Sequence, residues 1–256
     1  MDPPDLIAAL RKATHVVVLT GAGVSAESGI ATFRDPLTGL WARFRPEELA
    51  TPEAFARNPA LVWRWYEWRR AAVRDAQPNP AHTAIARLAE RVPELTLVTQ
   101  NVDDLHERAG SRDVLHLHGE IARPYCENCR TPFTALDPTP VLPDGGQHLD
   151  PPRCPLCGGR VRPGVVWFGE SLPDEPWRAA VRAVTRCDFF LCVGTSAAVQ
   201  PAASLIGLAK AAGALVVQVN PNPTEADALV DHALRGKAGE VLPRLAEAAW
   251  PNRDRR

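Results

Sequence analysis

Cys126-x-x-Cys129 and Cys154-x-x-Cys157 set four thiols in two pairs. A CxxC turn can present both of its sulfurs to one ion, and four thiolates at tetrahedral corners suit Zn²⁺ with bonds of about 2.3 Å. With every corner filled by protein, such a zinc is structural and keeps no open position for a substrate. The excursion between the pairs, residues 130–153, is a little longer than the usual ribbon spacing, and disulfides or unrelated buried thiols are the alternative reading. Cys187 and Cys192 lie in or beside an apolar run and need no metal.

A second chemical signal is TGAGVSAESGIATFR, residues 20–34. A strand running into Gly21-Ala22-Gly23 lets backbone N–H groups come close to a phosphate. The third glycine of a GxGxxG fingerprint would fall at position 26, which is Ala26, so this is not the dehydrogenase pattern, and a GxG alone says little. A third is WRWYEWRR, residues 63–70. Residues three apart share a helix face, so Tyr66 and Arg69 point together, while Trp65 and Trp68 form a neighbouring seam with Leu61 and Ala72. Arg64, Arg70 and Arg74 read as solvated.

The elements that position these groups follow from the apolar runs. HVVVLTGAG (15–23), ELTLVTQN (94–101), DVLHLHGE (113–120), DFFLCVGTS (188–196) and ALVVQVNPN (214–222) each end in polar residues or glycine. Short runs of this kind suit strands buried on both faces of a parallel sheet. Helical segments DLIAALRKA, PAHTAIARLAERV, PWRAAVRAVTR and PAASLIGLAKAAG fall between them. The alternation predicts an α/β fold, a Rossmann-like doubly wound parallel sheet whose crevice lies outside the carboxyl ends of the strands. Two stretches interrupt it. Residues 1–35, 81–119 and 164–256 are expected to form the large domain. A helical insertion (36–80) and a cysteine-bearing insertion (120–163) form a smaller one, with a cleft between the two.

Composition narrows the function classes. A formal net charge of -1 argues against a polyanion-binding surface, so nucleic acid is not expected as a partner. MDPPDLIAALRKATH has acids and prolines where a signal peptide would have a basic region and an apolar run. No apolar stretch reaches the roughly 18 residues a membrane span requires. The expectation is a cytoplasmic protein with reduced thiols.

GAGVSAESGIATFR, TQNVDDLHERAG, LHLHGE, GVVWFGE, GTSAAVQPA and GKAGEVLP, in this order and with the cysteine pairs between them, resemble the sirtuin family over residues 20–245. Ala31 stands where the family usually has proline, and VNPNPT departs slightly from its pattern. The resemblance implies an NAD-consuming lysine deacylase with a Rossmann-like large domain and a zinc-bearing small one. NAD would be a cosubstrate: nicotinamide leaves and the acyl group passes to ADP-ribose.

Carried over position by position, the resemblance makes His118 the catalytic base, in keeping with an unperturbed imidazole pKa near 6.5. His116 lies on the same strand face by the period of two and reads as a packed structural histidine. His82 and His106 read as helix-borne or capping residues. Gly21, Ala22, Gly23, Ala26, Ile30, Phe33 and Arg34 match the cofactor-binding segment. Gln100, Asn101 and Asp103 match the nicotinamide and ribose side, and Gly194, Thr195, Ser196, Asn220 and Ala238 the phosphates, adenosine ribose and adenine. Val166, Phe168, Gly169 and Glu170 match the strand that pairs with an extended acyl-lysine peptide. Members that remove acidic acyl groups carry a Tyr-x-x-Arg pair and a roomy alanine, here Tyr66, Arg69 and Ala26. A desuccinylase- or demalonylase-like specificity is therefore implied, with weaker deacetylation. Plain deacetylation, ADP-ribosyl transfer, and a zinc-ribbon binding module with a vestigial nucleotide fold remain the alternatives.

Overall fold

The structure, a computed structural model, describes residues 3–32, 45–135 and 150–251. Its centre is a six-stranded parallel sheet built from β1 (His15–Thr20), β2 (Glu94–Thr99), β3 (Leu115–His116), β6 (Phe189–Val193), β7 (Leu215–Val219) and β8 (His232–Leu234), in the order β3-β2-β1-β6-β7-β8. The first five match the predicted strands. The sixth, β8, is a three-residue edge strand whose sequence has no long apolar run to announce it. Two short strands, β4 (Tyr125–Cys126) and β5 (Val161–Arg162), pair antiparallel outside this sheet.

Every residue of β1 and β6 is buried. A buried Val or Leu contributes about 1.5–3 kcal/mol, so a strand covered on both faces draws on each of its side chains. Val16 and Val18 face one core with α1 (Pro4–Lys12), α6 (Pro80–Leu88) and α10 (Ala238–Ala249). Val17 and Leu19 face the other, with α8 (Asp174–Val184) and α9 (Ser204–Ala211). This double cover explains why the strand sequences show no polar alternation.

A third core gathers α3 (Pro46–Leu49), α4 (Pro52–Arg57) and α5 (Pro59–Asp75) around Phe55, Val62, Trp65, Tyr66 and Val73. Asn58 caps α5 by accepting from the Leu61 amide at 3.1 Å, with Pro59 in the first turn. The buried face of α5 carries Val62, Trp65, Tyr66, Arg69 and Val73. Tyr66 and Arg69 therefore share the tryptophan seam, where the sequence had set them beside it. Ala72 is exposed and does not belong to the seam. Arg70 is not solvated: it pairs with Glu67, donates to the Ile121 carbonyl at 2.9 Å and lies over the Trp63 ring. Val165 and Trp167 join this core from a segment expected in the large domain.

Two further short helices, α2 (Ala22–Ala26) and α7 (Leu105–Arg108), follow β1 and β2. No helix among the described residues is long and apolar enough to cross a membrane.

His82 and His106 are buried as neutral rings. His82 Nδ1 accepts from the Asn79 amide at 3.2 Å, so this histidine does cap α6, and its ring meets that of His106 edge-on at 4.8 Å. His106 on α7 makes a 3.0 Å contact with Thr20 Oγ1. Burial holds the His82 pKa down to about 4. Burial and the neighbouring His82 and His116 hold His106 down to about 3. Unfolded histidine titrates near 6.5, so below that pH the unfolded chain takes up protons that the folded chain refuses. Their contribution is complete above roughly pH 6.5 and is lost as pH falls toward the folded values. The urea midpoint is expected to drop between pH 7 and pH 5 by the equivalent of roughly 2 kcal/mol per histidine, and His106→Gln should flatten that slope. A midpoint independent of pH over this range would contradict the assignment.

Candidate active site

Thr20, Thr99 and His116 stand opposite one another in the sheet, and Thr20 is also level with Val193, Val219 and Leu234. Every parallel strand thus ends in the same row. The next residues, Gly21, Gln100, Gly194 and Asn220, leave the sheet together. The strand order reverses between β1 and β6, and there the two outgoing loops touch. The Gly21 amide donates to Val193 O at 3.0 Å and the Gly23 amide to Gly194 O at 2.8 Å. A Cβ on Gly21 would stand 2.7 Å from Thr195 Cβ, and one on Gly23 would stand 2.7 Å from Gly194 O. These glycines therefore admit the neighbouring loop. The amides of Gly21 and Gly23 are used inside the protein.

A polar cluster fills the crevice. Gln100 Nε2 donates to Thr195 Oγ1 at 3.1 Å, and Asn220 Nδ2 donates to Thr195 O at 2.9 Å. Asn101 Nδ2 donates to Ser25 Oγ at 3.0 Å, and Ser25 Oγ donates to Asp103 Oδ2 at 2.9 Å. Burial raises the Asp103 pKa, with the Ser25 hydroxyl pulling the other way. Ser25 is the polar residue that sequence reasoning passed over, although it lies inside the motif read there. Asn79 was missed as well: it caps α6 and donates to Val24 O and Ser28 Oγ at 2.8 and 2.9 Å, tying that helix to the loop after β1. Ala238 is buried at the start of α10, where Glu27 accepts from the Gly239 amide at 3.0 Å. Ala22 is half-buried and Ala26 exposed, and Ile30 packs on the third core. Ser196 is half-buried beside Thr195. Phe33 and Arg34 lie outside the described residues.

His118 lies two residues beyond the end of β3. Its Nδ1–H donates to Gln100 O at 3.0 Å, which leaves Nε2 as the proton acceptor. Burial lowers its pKa, and the Gln100 carbonyl partly offsets this, so the ring is neutral at neutral pH. The His118 carbonyl accepts from the Val166 amide at 2.8 Å, joining this histidine directly to segment 164–170.

That segment is held from below by one hydrogen-bonded chain. Arg162 grips Glu170 with bonds of 2.6 and 2.8 Å and lies 3.6 Å over the Trp167 ring. Trp167 Nε1–H in turn donates to Tyr66 Oη at 3.0 Å. The Glu170 carboxylate serves Arg162 and the Trp167 amide. The amides of Val166, Phe168 and Glu170 donate to the His118, Ala50 and Trp167 carbonyls. Phe168 is 43% exposed and Val166 half-buried, while Gly169 turns the chain at φ +89°. Tyr66 is 2% exposed and Arg69 8%. Burial raises the Tyr66 pKa, keeping the phenol protonated. For Arg69 burial works against the charge, and the nearby Tyr66 and Asp103 work for it. Asp103 of the polar cluster is thus close enough to Arg69 to act on its charge.

The model of the Sir2 family matches residues 21–201. The chain belongs to the Sir2 family. It is 59% identical over 242 residues to NAD-dependent protein deacylase 1 of Pseudomonas aeruginosa, covering 94% of this chain and 97% of that one. It is 52% identical over 247 residues to NAD-dependent protein deacylase 2 of Pyrobaculum aerophilum, covering 96% and 94%. Among solved structures it is similar to a Sir2 homologue–NAD complex, with a TM-score of 0.88, 48% identity and coverage of 97% and 94%. A Sir2–p53 peptide–NAD⁺ structure matches with a TM-score of 0.84, 31% identity and coverage of 96% and 98%.

For this Sir2-family chain the four paired cysteines fit a structural zinc. Their sulfurs lie within 4.8 Å of one another, with Cys126 to Cys157 at 3.4 Å and Cys129 to Cys154 at 3.7 Å. A tetrahedron with Zn–S bonds of about 2.3 Å has edges of roughly 3.8 Å. All four are free thiols, so the disulfide alternative falls away. Each knuckle turns at a left-handed residue four after its first cysteine, Arg130 (φ 61°) and Gly158 (φ 70°). Metal analysis of the purified chain should find one zinc per polypeptide, and Cys126→Ser should lower both zinc content and Tm. Full stability after complete zinc removal would contradict a structural role.

Proposed function

We propose that this Sir2-family chain is an NAD-dependent protein-lysine deacylase that prefers acidic acyl groups, succinyl, malonyl and glutaryl, over acetyl. The observation that carries the deacylase reading is His118, a neutral, half-buried imidazole fixed by the Gln100 carbonyl beside the Asn101–Ser25–Asp103 cluster. Relatives sharing half or more of the sequence are named NAD-dependent protein deacylases. When bound, NAD supplies an activated ribose carbon that can be captured by an acyl oxygen with loss of nicotinamide.

The residues have distinct tasks in this reading. Gln100, Asn101 and Asp103 offer donors and acceptors to the nicotinamide carboxamide and its ribose. Thr195, Ser196, Asn220 and Ala238 line the other half of the crevice. His118 Nε2 takes a proton from the ribose hydroxyl side, and its depressed pKa keeps it able to do so below pH 6.5. An extended acyl-lysine peptide lies along Val166, Phe168 and Gly169, read by surface side chains and the remaining backbone groups. In this reading residues 1–35, 81–119 and 164–256 form the cofactor-binding domain, and 36–80 with 120–163 the smaller one. The reading places the chain in the cytoplasm, where the zinc thiolates stay reduced.

Tyr66 and Arg69 support the acyl preference. A guanidinium can grip a carboxylate with two parallel hydrogen bonds, and a protonated phenol adds a third donor. The Trp167 indole already donates to Tyr66 Oη, so the Tyr66 proton is left to be given elsewhere.

Nicotinamide release should be measured against acetyl-, succinyl-, malonyl- and glutaryl-lysine peptides, with product identification by mass spectrometry. His118→Ala is expected to abolish release with every peptide. Arg69→Met should lower kcat/KM for succinyl peptide by roughly 10² and leave acetyl peptide nearly unchanged, matching about 2–3 kcal/mol for a charge-assisted contact. Equal losses on both peptides would overturn the acidic preference. An ADP-ribosylated acceptor without O-acyl-ADP-ribose would point to transferase activity, and no nicotinamide release with any peptide would point to a binding module.

A further inference from the structure

His116 and His118 are two residues apart, yet their rings are bound differently. His118 has one hydrogen-bond acceptor, the Gln100 carbonyl. His116 has acceptors at both ends: Nδ1 lies 3.2 Å from Asn101 O, and Nε2 lies 2.7 Å from Glu107 Oε1. A backbone carbonyl and an ionised carboxylate can only accept. Both nitrogens of His116 must therefore carry hydrogen, and only the imidazolium does. A neutral ring would turn a lone pair toward either the carbonyl or the carboxylate. We propose that His116 is a cationic positioning residue, whose imidazolium, held by Glu107, anchors the Asn101 backbone and so fixes the Asn101–Ser25–Asp103 cluster on which the cofactor is oriented. The inference rests on the reading of residues 100–103 as the nicotinamide and ribose side.

The charges around the ring favour this state. From α7, Glu107 faces His116 directly, and His106 beside it is neutral. Asp103 lies on the loop after β2, and Glu120 follows His118 and pairs with Arg123 at 3.0 Å. Burial of His116 opposes the charge, but Glu107 and Glu120 outweigh it and the pKa lies above the ordinary histidine value. Glu107 itself is drawn below the usual carboxylate range despite partial burial, through the His116 contact and Arg123. One short motif thus holds two imidazoles biased in opposite directions: His118 toward the neutral base, His116 toward the cation. The anchor reaches past Asn101, because the Asn101 amide grips Ser25 on α2 and Ser25 grips Asp103. His116 acts at the cofactor only through these neighbours.

Two measurements test this. The first is the pH profile of kcat/KM for NAD from about pH 6 to pH 10, for wild type and Glu107→Gln at saturating acyl peptide. Removing the carboxylate should move the alkaline limb of the variant down by about 1 to 3 pH units, and the change should fall mainly on KM for NAD. A merely structural Glu107 would lower activity evenly and leave the limb in place. The second is ¹⁵N NMR of the histidine rings in the wild type near neutral pH, which does not depend on the variant folding or on turnover. His116 should show two protonated ring nitrogens, and His118 one protonated and one bare. A bare nitrogen on His116, or an alkaline limb that stays put in Glu107→Gln, overturns the proposal. Absence of NAD cleavage by the wild type would overturn the activity reading instead, and the ring spectrum would still decide the state of His116.

Discussion

The common finishing line of the parallel strands governs this molecule. His116, Thr99, Thr20, Val193, Val219 and Leu234 fall level because parallel pairing fixes register along the sheet, and register is enforced wherever both faces are buried. A one-residue slip of β1 would exchange the side chains that face its two cores. It would also withdraw Gly21 from Val193 and Gly194, where added atoms could not fit. Hydrophobic burial thus sets the alignment of polar groups that contribute little to the core themselves. Gln100, Asn101, His118 and Asn220 meet because apolar residues several positions upstream have no alternative placement.

Around that edge, positions are passed from one element to the next by hydrogen bonds with short reach. Thr195 receives Gln100 on its side chain and Asn220 on its carbonyl, linking β2, β6 and β7. His118 receives Val166, and Phe168 receives its place from Ala50 in the third core. A buried polar group without a partner costs about 1–3 kcal/mol, which leaves such a network few arrangements of comparable energy. Small displacements of one loop are therefore resisted by several others.

Much of this was legible in the sequence for identifiable reasons. Five strands were readable because double burial makes continuous apolar runs, and the cysteine pairs because metal ligation demands fixed spacing. The edge strand β8 was not, since His232-Ala-Leu234 is short and half-exposed. The glycines of the loop after β1 were legible as a place of close approach, but not the packing of the loop after β6 against them. That contact joins residues far apart in the chain, and no local pattern reports it. The same holds for Glu107, whose role depends on a histidine nine positions later, and for the placing of Tyr66 in the tryptophan seam. Helix periodicity gives the relative angle of side chains, but the breadth of a buried face is decided by what packs against it. On α5 that is Trp167, which arrives from beyond the cysteine ribbon.

Arg162 belongs to β5, which pairs with the strand carrying Cys126, and its guanidinium spans Glu170 and the face of Trp167. From Trp167 a single hydrogen bond leads to the Tyr66 hydroxyl. The ribbon is therefore a lever as well as a staple. Metal content becomes a variable far from the ribbon: a chain that has lost its ion while keeping its sheet would loosen Arg162, and with it the seat of Trp167 and the hydrogen bond that Tyr66 receives.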